Sequence, residues 1–86
     1  MSDPSPEEQA HRLEHEHARL RRQMAEVAAS IAATEEQVAD TFEQMAEHRS
    51  PADAERLRAE AEEARAYAAQ ERDRSVTYRM RTGDDD

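Results

Sequence analysis

The sequence has no cysteine, no tryptophan and no lysine, and only one glycine, three prolines and one phenylalanine in 86 residues. Without cysteine, neither a disulfide framework nor a thiolate metal site exists. Without lysine there is no Schiff-base chemistry and no lysine-directed modification. All twelve basic residues are arginine, a usage that points to a GC-rich genome. No apolar run approaches the roughly 20 residues of a membrane span, and no signal-peptide core follows Met1. The expected address is cytoplasmic, with secretion without a signal peptide as the alternative.

Large apolar residues are scarce as well. Leu, Ile, Val and Phe fall below the roughly 20% that separates globular from disordered chains, and the net charge is −9. A chain this short also buries only about 60% of its unfolded surface. Composition alone therefore favours disorder. Two features oppose it: Ala, Glu, Arg and Gln, all strong helix formers, dominate the chain, and its few large apolar residues are periodic.

Helix punctuation appears twice. Ser5-Pro6-Glu7-Glu8 reads as an N-cap, a first-turn proline and a capping-box glutamate, and Ser50-Pro51-Ala52-Asp53 repeats that grammar. Ser50 precedes a proline and avoids the helical region, which places a break at His48 to Ser50. The expected fold is all-α. It is a two-helix antiparallel hairpin, coiled-coil-like, with a long helix over about residues 6–48 and a shorter one over about 51–75, joined by a short connection. A single kinked rod is the alternative. Residues 1–4 are expected as a disordered lead, 5–81 as one hairpin domain and 82–86 as an acidic flexible tail.

The first helix carries a heptad seam. Ala10, His17, Met24, Ile31, Val38 and Met45 alternate with Leu13, Leu20, Val27, Thr34, Thr41 and His48, the 3.5-residue period of a left-handed coiled coil. Ala25, Ala28, Ala29, Ala32 and Ala33 widen the small-residue surface around its middle, which predicts more than one neighbouring helix. On the second helix Leu57, Ala61, Ala64 and Ala68 share a face. The expected pairing sets large against small: Leu57 on Phe42, Ala61 on Val38, Ala64 near Thr34 and Ala68 near Ile31. Helix two then covers helix one back to about Met24, leaving Ala10, Leu13, His17 and Leu20 without internal cover.

A buried Leu or Ile is worth about 1.5–3 kcal/mol, whereas ordering each residue costs on the order of 1–2 kcal/mol. With so few large side chains the hairpin is predicted to self-associate, most simply as a homodimer forming a four-helix bundle.

Candidate chemistry is sparse. His11 and His15 stand four apart, a spacing able to chelate zinc, but a third ligand is missing because His17 points about 200° away from His15. No metal or cofactor is expected. His17, on the seam, is a candidate pH-sensitive position with solvated histidine as the plainer reading. The carboxylates have the distribution of a solvated helical face, and no catalytic arrangement emerges. Arg19, Arg21 and Arg22 are expected beside Arg72, Arg74, Arg79 and Arg81 at the open end. Such a basic end either forms local ion pairs or docks an acidic protein or nucleic acid, the latter a partner that the acidic balance of the chain disfavours.

The segment Tyr67-Ala68-Ala69-Gln70-Glu71 resembles the Tyr-x-x-x-Asp/Glu export signal of type VII secretion substrates, the small Trp-x-Gly helical-hairpin family. That resemblance implies an exported helical hairpin. The chain departs from the family in having no Trp, in its break at His48-Arg49-Ser50, and in placing Tyr67 inside the second helix. The function expected from the residues themselves is a non-enzymatic coiled-coil interaction module that self-associates and binds a protein partner without contacting a membrane.

Overall fold

A computed structural model describes residues 3–83, and within that span two helices and no strand occur: α1, Pro6–Ala46, and α2, Pro51–Gly83. They fold back on each other as an antiparallel hairpin. The long lead-in helix and the flat two-helix layer give overall dimensions of 73 × 25 × 14 Å. Met1, Ser2 and the acidic tail Asp84 to Asp86 lie outside the described residues.

Both helix starts follow the punctuation. Ser5 is extended (φ −65°, ψ 159°), and its Oγ accepts the Glu8 N–H at 3.2 Å. The Ser50 Oγ accepts the Asp53 N–H at 3.4 Å, and the Ser50 carbonyl accepts Ala54 N–H at 2.8 Å. Each serine thus satisfies a first-turn donor that has no helical partner. At the other end of α1, the N–H groups of Glu47, His48 and Arg49 donate to the carbonyls of Gln44, Met45 and Ala46. This tightening to i→i−3 bonds closes the helix without a glycine.

The sequence places the end of the second helix near Ser75, but α2 runs on to Gly83. Ser75 is a packed residue, because its Oγ donates to the Ala25 carbonyl at 2.9 Å. Half-buried Tyr78 continues the same face one turn further. That extension also shortens the overhang. With Ser75 opposite Ala25, eight further residues at about 1.5 Å each bring Gly83 level with about His17.

The hairpin is held by alanine. The buried apolar residues are Ala25, Ala28, Ala32, Ala39 and Ala46 on α1 and Ala54, Ala61, Ala64 and Ala68 on α2. No larger apolar side chain among the described residues is fully buried. Alanine recurs every seventh residue at 18, 25, 32, 39 and 46, and again at 54, 61 and 68, with Ser75 next in the series. One methyl per heptad from each side lets the two backbones approach closely. A larger side chain at these positions would wedge them apart. Ala39, Ala61 and Ala64 cluster at the centre, with Phe42 packed against them from the side.

This overturns the expected pairing of large against small. Ala61 and Ala64 cluster with Ala39 rather than under Val38 and Thr34, and Ile31 and Val38 border Ala64 only at the edge of a shared hollow. Phe42 and Leu57 are half-buried flanks of the alanine contact. The seam side chains Met24, Val27, Val38 and Met45, expected to lie beneath α2, stay largely open.

Candidate functional site

The seven-residue frame sorts the remaining side chains into two broad faces. On one, α2 presents arginine at every seventh position, 58, 65, 72 and 79. Arg65 donates through Nη1 to Glu43 Oε1, and through Nη2 to Glu43 Oε2 at 3.0 Å and Asp40 Oδ1 at 3.1 Å. Arg72 meets Glu36 Oε1 through Nε at 2.9 Å and through Nη2 at 2.7 Å. The hydrogen bonds from Arg65 hold the Glu43 carboxyl below its ordinary value of 4.5, with its charge and that of Arg58 adding to the effect. Reciprocally, Glu43 and then Asp40 raise the Arg65 guanidinium. These pairs are solvent-exposed, so each contributes modestly. Their geometry nevertheless marks this face as one designed for water.

The opposite face has different chemistry. Leu20, Val27, Thr34 and Thr41, alternating with Met24, Ile31, Val38 and Met45, stand about 110° around α1 from the alanine contact, at 3.6 residues per turn. Leu20 is 50%, Met24 46% and Val27 58% exposed. The adjoining outer positions are Gln23, Ser30, Gln37 and Gln44, so from Leu20 to Met45 this whole arc carries no charge. The charged residues of the same stretch, Arg21, Arg22, Glu26, Glu35, Glu36, Asp40 and Glu43, all lie elsewhere around the helix. In a chain with 38% charged residues, that segregation is a pattern. Thr41 fits it too, its hydroxyl being satisfied by the Gln37 carbonyl at 3.0 Å.

Two shallow hollows mark the trough between this row and α2. One, about 350 Å³, lies between Leu20, Met24, Val27 and Ile31 and the α2 residues Glu71, Arg74 and Tyr78. The other, about 450 Å³, lies between Ile31, Val38 and Phe42 and the α2 residues Glu60, Glu63 and Tyr67. The row continues toward the N-terminus with exposed Leu13, Ala10 and His17 on the overhang. The self-association residues named from the sequence therefore share one face, and all but half-buried Ile31 are exposed in the single hairpin.

The other candidates fare differently. His11 and His15 are exposed, and His11 Nδ1 lies 3.9 Å from Glu14 Oε2. No three His, Asp or Glu side chains among the described residues converge as metal ligands. At the basic end several arginines are engaged in ion pairs. Arg72 is drawn onto Glu36, Arg74 Nη1 donates to Glu71 Oε1 at 3.0 Å, and Arg21 and Arg79 are engaged as well. Arg19 and Arg22 line a small hollow with Arg12, His15 and Glu16. Tyr67 is half-exposed mid-helix, whereas Glu71 is buried against α1. The two residues of the export-like segment therefore do not present one exposed pair.

The alanine face of α2 was read from the sequence, but the alanine row of α1 that meets it and the arginine ladder were not. Both were signalled by strict seven-residue repeats of a single residue type, which the search for large apolar residues and for ion pairs within one helix passed over. No helix among the described residues is long and apolar enough to cross a membrane. Comparison with protein-family models, with curated proteins and with solved structures finds no match to this chain.

Proposed function

We propose that the protein is a non-enzymatic coiled-coil module that dimerises through the charge-free face of α1 and offers its remaining surface to a protein partner. One observation carries this reading: Leu20, Met24, Val27, Val38 and Met45 of α1 line an open face instead of filling the hairpin. Interface cores are depleted in charge in the same way. Surface area points in the same direction. The hairpin exposes 6886 Å², about 1,700 Å² more than a compact monomer of this mass would. A standard interface hides about 800 Å² per partner, so the excess accommodates one comfortably. The overhang before His17, with Ala10 and Leu13, gives the protein partner an accessible continuation of the same row.

The test is light scattering on the chain and on Val27→Asp. Val27 is exposed in the hairpin, so the aspartate leaves the fold intact while placing a charge in the proposed interface. The expected result is a dimeric mass for the chain and 9.8 kDa for the variant, with equal helical circular dichroism. A variant that keeps the mass of the parent overturns the proposal.

A further inference from the structure

Dimerisation through this face, taken from the reading above, leaves two symmetric arrangements. With the two-fold axis along the helices, α1 of each copy lies on α2 of the other or, where the axis runs beside α1, in parallel on the other α1. With the axis across them, α1 lies antiparallel on α1. We infer that the second copy docks in the crossed, antiparallel arrangement, with the two-fold axis passing Tyr67 on α2 and the Ala32–Ala33 step on α1.

Three observations converge on that axis. First, the charge-free arc belongs to α1 alone. On the same face α2 carries Asp53, Arg56, Glu60, Glu63 and Arg74. Placing α1 on α2 would bury these charges against apolar side chains; Asp53 and Arg56 would keep each other and Arg74 its Glu71, but the uncharged arc offers Glu60 and Glu63 no countercharge, a costly arrangement. Placing α1 on α1 joins two uncharged arcs; on α2, Glu63 of each copy then faces the other's Glu71, whose charge Arg74 offsets at 3.0 Å.

Second, the arc is centred. Leu20 and Met45 bound it, so its midpoint falls between Ala32 and Ala33. Folding the row about that midpoint sets Val27 on the other copy's Val38, Met24 on its Thr41 and Ile31 on its Thr34. An isologous interface requires such reciprocal pairs.

Third, α2 has its own centre at the same height. The contact of Ser75 with Ala25 puts Tyr67 opposite Ala33, and Tyr67 lines the trough with Ile31. Around Tyr67 the charges reverse. Glu60 lies seven residues before it and Arg74 seven after, so an axis through Tyr67 brings Glu60 of each copy to Arg74 of the other. Arg74 uses Nη1 for Glu71, and its other N–H groups remain for this second carboxylate. The α1 midpoint comes from hydropathy and the α2 midpoint from charge, yet they agree to within one residue. The same axis exchanges the two hollows, setting the Met24–Val27 end of each copy over the Val38–Phe42 end of the other.

Spin labels test the arrangement in the full chain, which has no cysteine to interfere. Thr34→Cys and Gln44→Cys are labelled separately and the distance between copies is read by pulsed electron resonance. The antiparallel register offsets the two position-34 labels by only about 4–5 Å along the axis, and the two position-44 labels by about 34 Å, at about 1.5 Å per residue. An axis along the helices gives both pairs no offset. Similar distances at 34 and 44 overturn the inference. In unlabelled protein, Glu60→Arg is expected to weaken the dimer several-fold at low salt, while Glu62→Arg, on the arginine-ladder face, leaves it unchanged. Equal effects also overturn it. A monomeric mass for the unaltered chain removes the dimer itself, whereas a dimeric mass with the wrong distances removes only the orientation.

Discussion

Ala61→Leu probes the alanine contact where it is tightest. Ala61 is 0% exposed and packs with Ala39, itself 0% exposed, and with Ala64. Leucine adds three carbons at a point where two backbones meet over single methyl groups; Ala39 and Ala64 have no rotamers with which to yield, and Phe42 closes the side of the cluster. The helices must separate or the leucine must leave its preferred rotamer. Overpacking of this kind costs about 1–3 kcal/mol. Each kcal/mol lowers Tm by roughly 4–8 °C in a domain of this size. Leucine is nearly as good a helix former as alanine, so propensity does not account for the loss. Ala66→Leu, on the exposed outer side of α2, is the control and is expected to stay within about 0.5 kcal/mol of the parent. Thermal and urea unfolding followed by circular dichroism, with all proteins at one concentration, gives the comparison. Had large residues of α1 faced Ala61, the added leucine would have extended an apolar contact and been tolerated. An Ala61→Leu protein as stable as Ala66→Leu therefore refutes the alanine contact.

The cross-helix arginine ladder makes a pH prediction. Because the folded Glu43 carboxyl lies below its ordinary 4.5, its contribution to stability is present above that value and is lost as pH falls through the lower folded value. Glu43→Gln should flatten the stability profile in that acid window and leave its slope near neutrality unchanged; an identical acid limb in both proteins argues against the pairing. Ser75→Ala removes the hydroxyl that bonds the Ala25 carbonyl, at a cost of about 0.5–1.5 kcal/mol, and hydrogen exchange should show faster opening of α2 beyond Ser75 than in the parent. Ser50→Ala should cost about 1 kcal/mol by uncapping α2, read as a lower urea midpoint at unchanged helicity. A midpoint that does not move means the Ser50 Oγ contact carries no stability.

Local signals in the sequence proved legible where the physics is local. Ser5-Pro6 and Ser50-Pro51 announce both helix starts because capping and proline geometry depend on a few adjacent residues. The hairpin was legible as well, from the short break between two strong helix-forming stretches. Which face of α1 meets α2 was not, because the usual weighting favours large apolar side chains as core. Here that rule fails: Leu20, Met24, Val27 and Val38 belong to a second, outward face, and alanine fills the inner one. Two heptad patterns share α1, rotated by about 110°, and only the three-dimensional pairing with Ala54, Ala61, Ala68 and Ser75 assigns each its neighbour. The end of α2 was missed for a related reason. Val76 and Thr77 are weak helix formers, but packing of Ser75 and Tyr78 against α1 overrides that preference. At the open end the local pair of Arg74 with Glu71 follows from sequence proximity, whereas Arg72 reaches along the groove to Glu36, which proximity in sequence does not suggest.

The central claim is that the charge-free apolar face of the hairpin is covered by a second copy of the chain. Sedimentation equilibrium across micromolar concentrations, with helicity followed in parallel, tests it most directly. The expected mass is twice 9.8 kDa, falling toward the single-chain value only on dilution while the hairpin keeps its helicity. A mass of 9.8 kDa throughout, at undiminished helicity, would contradict it.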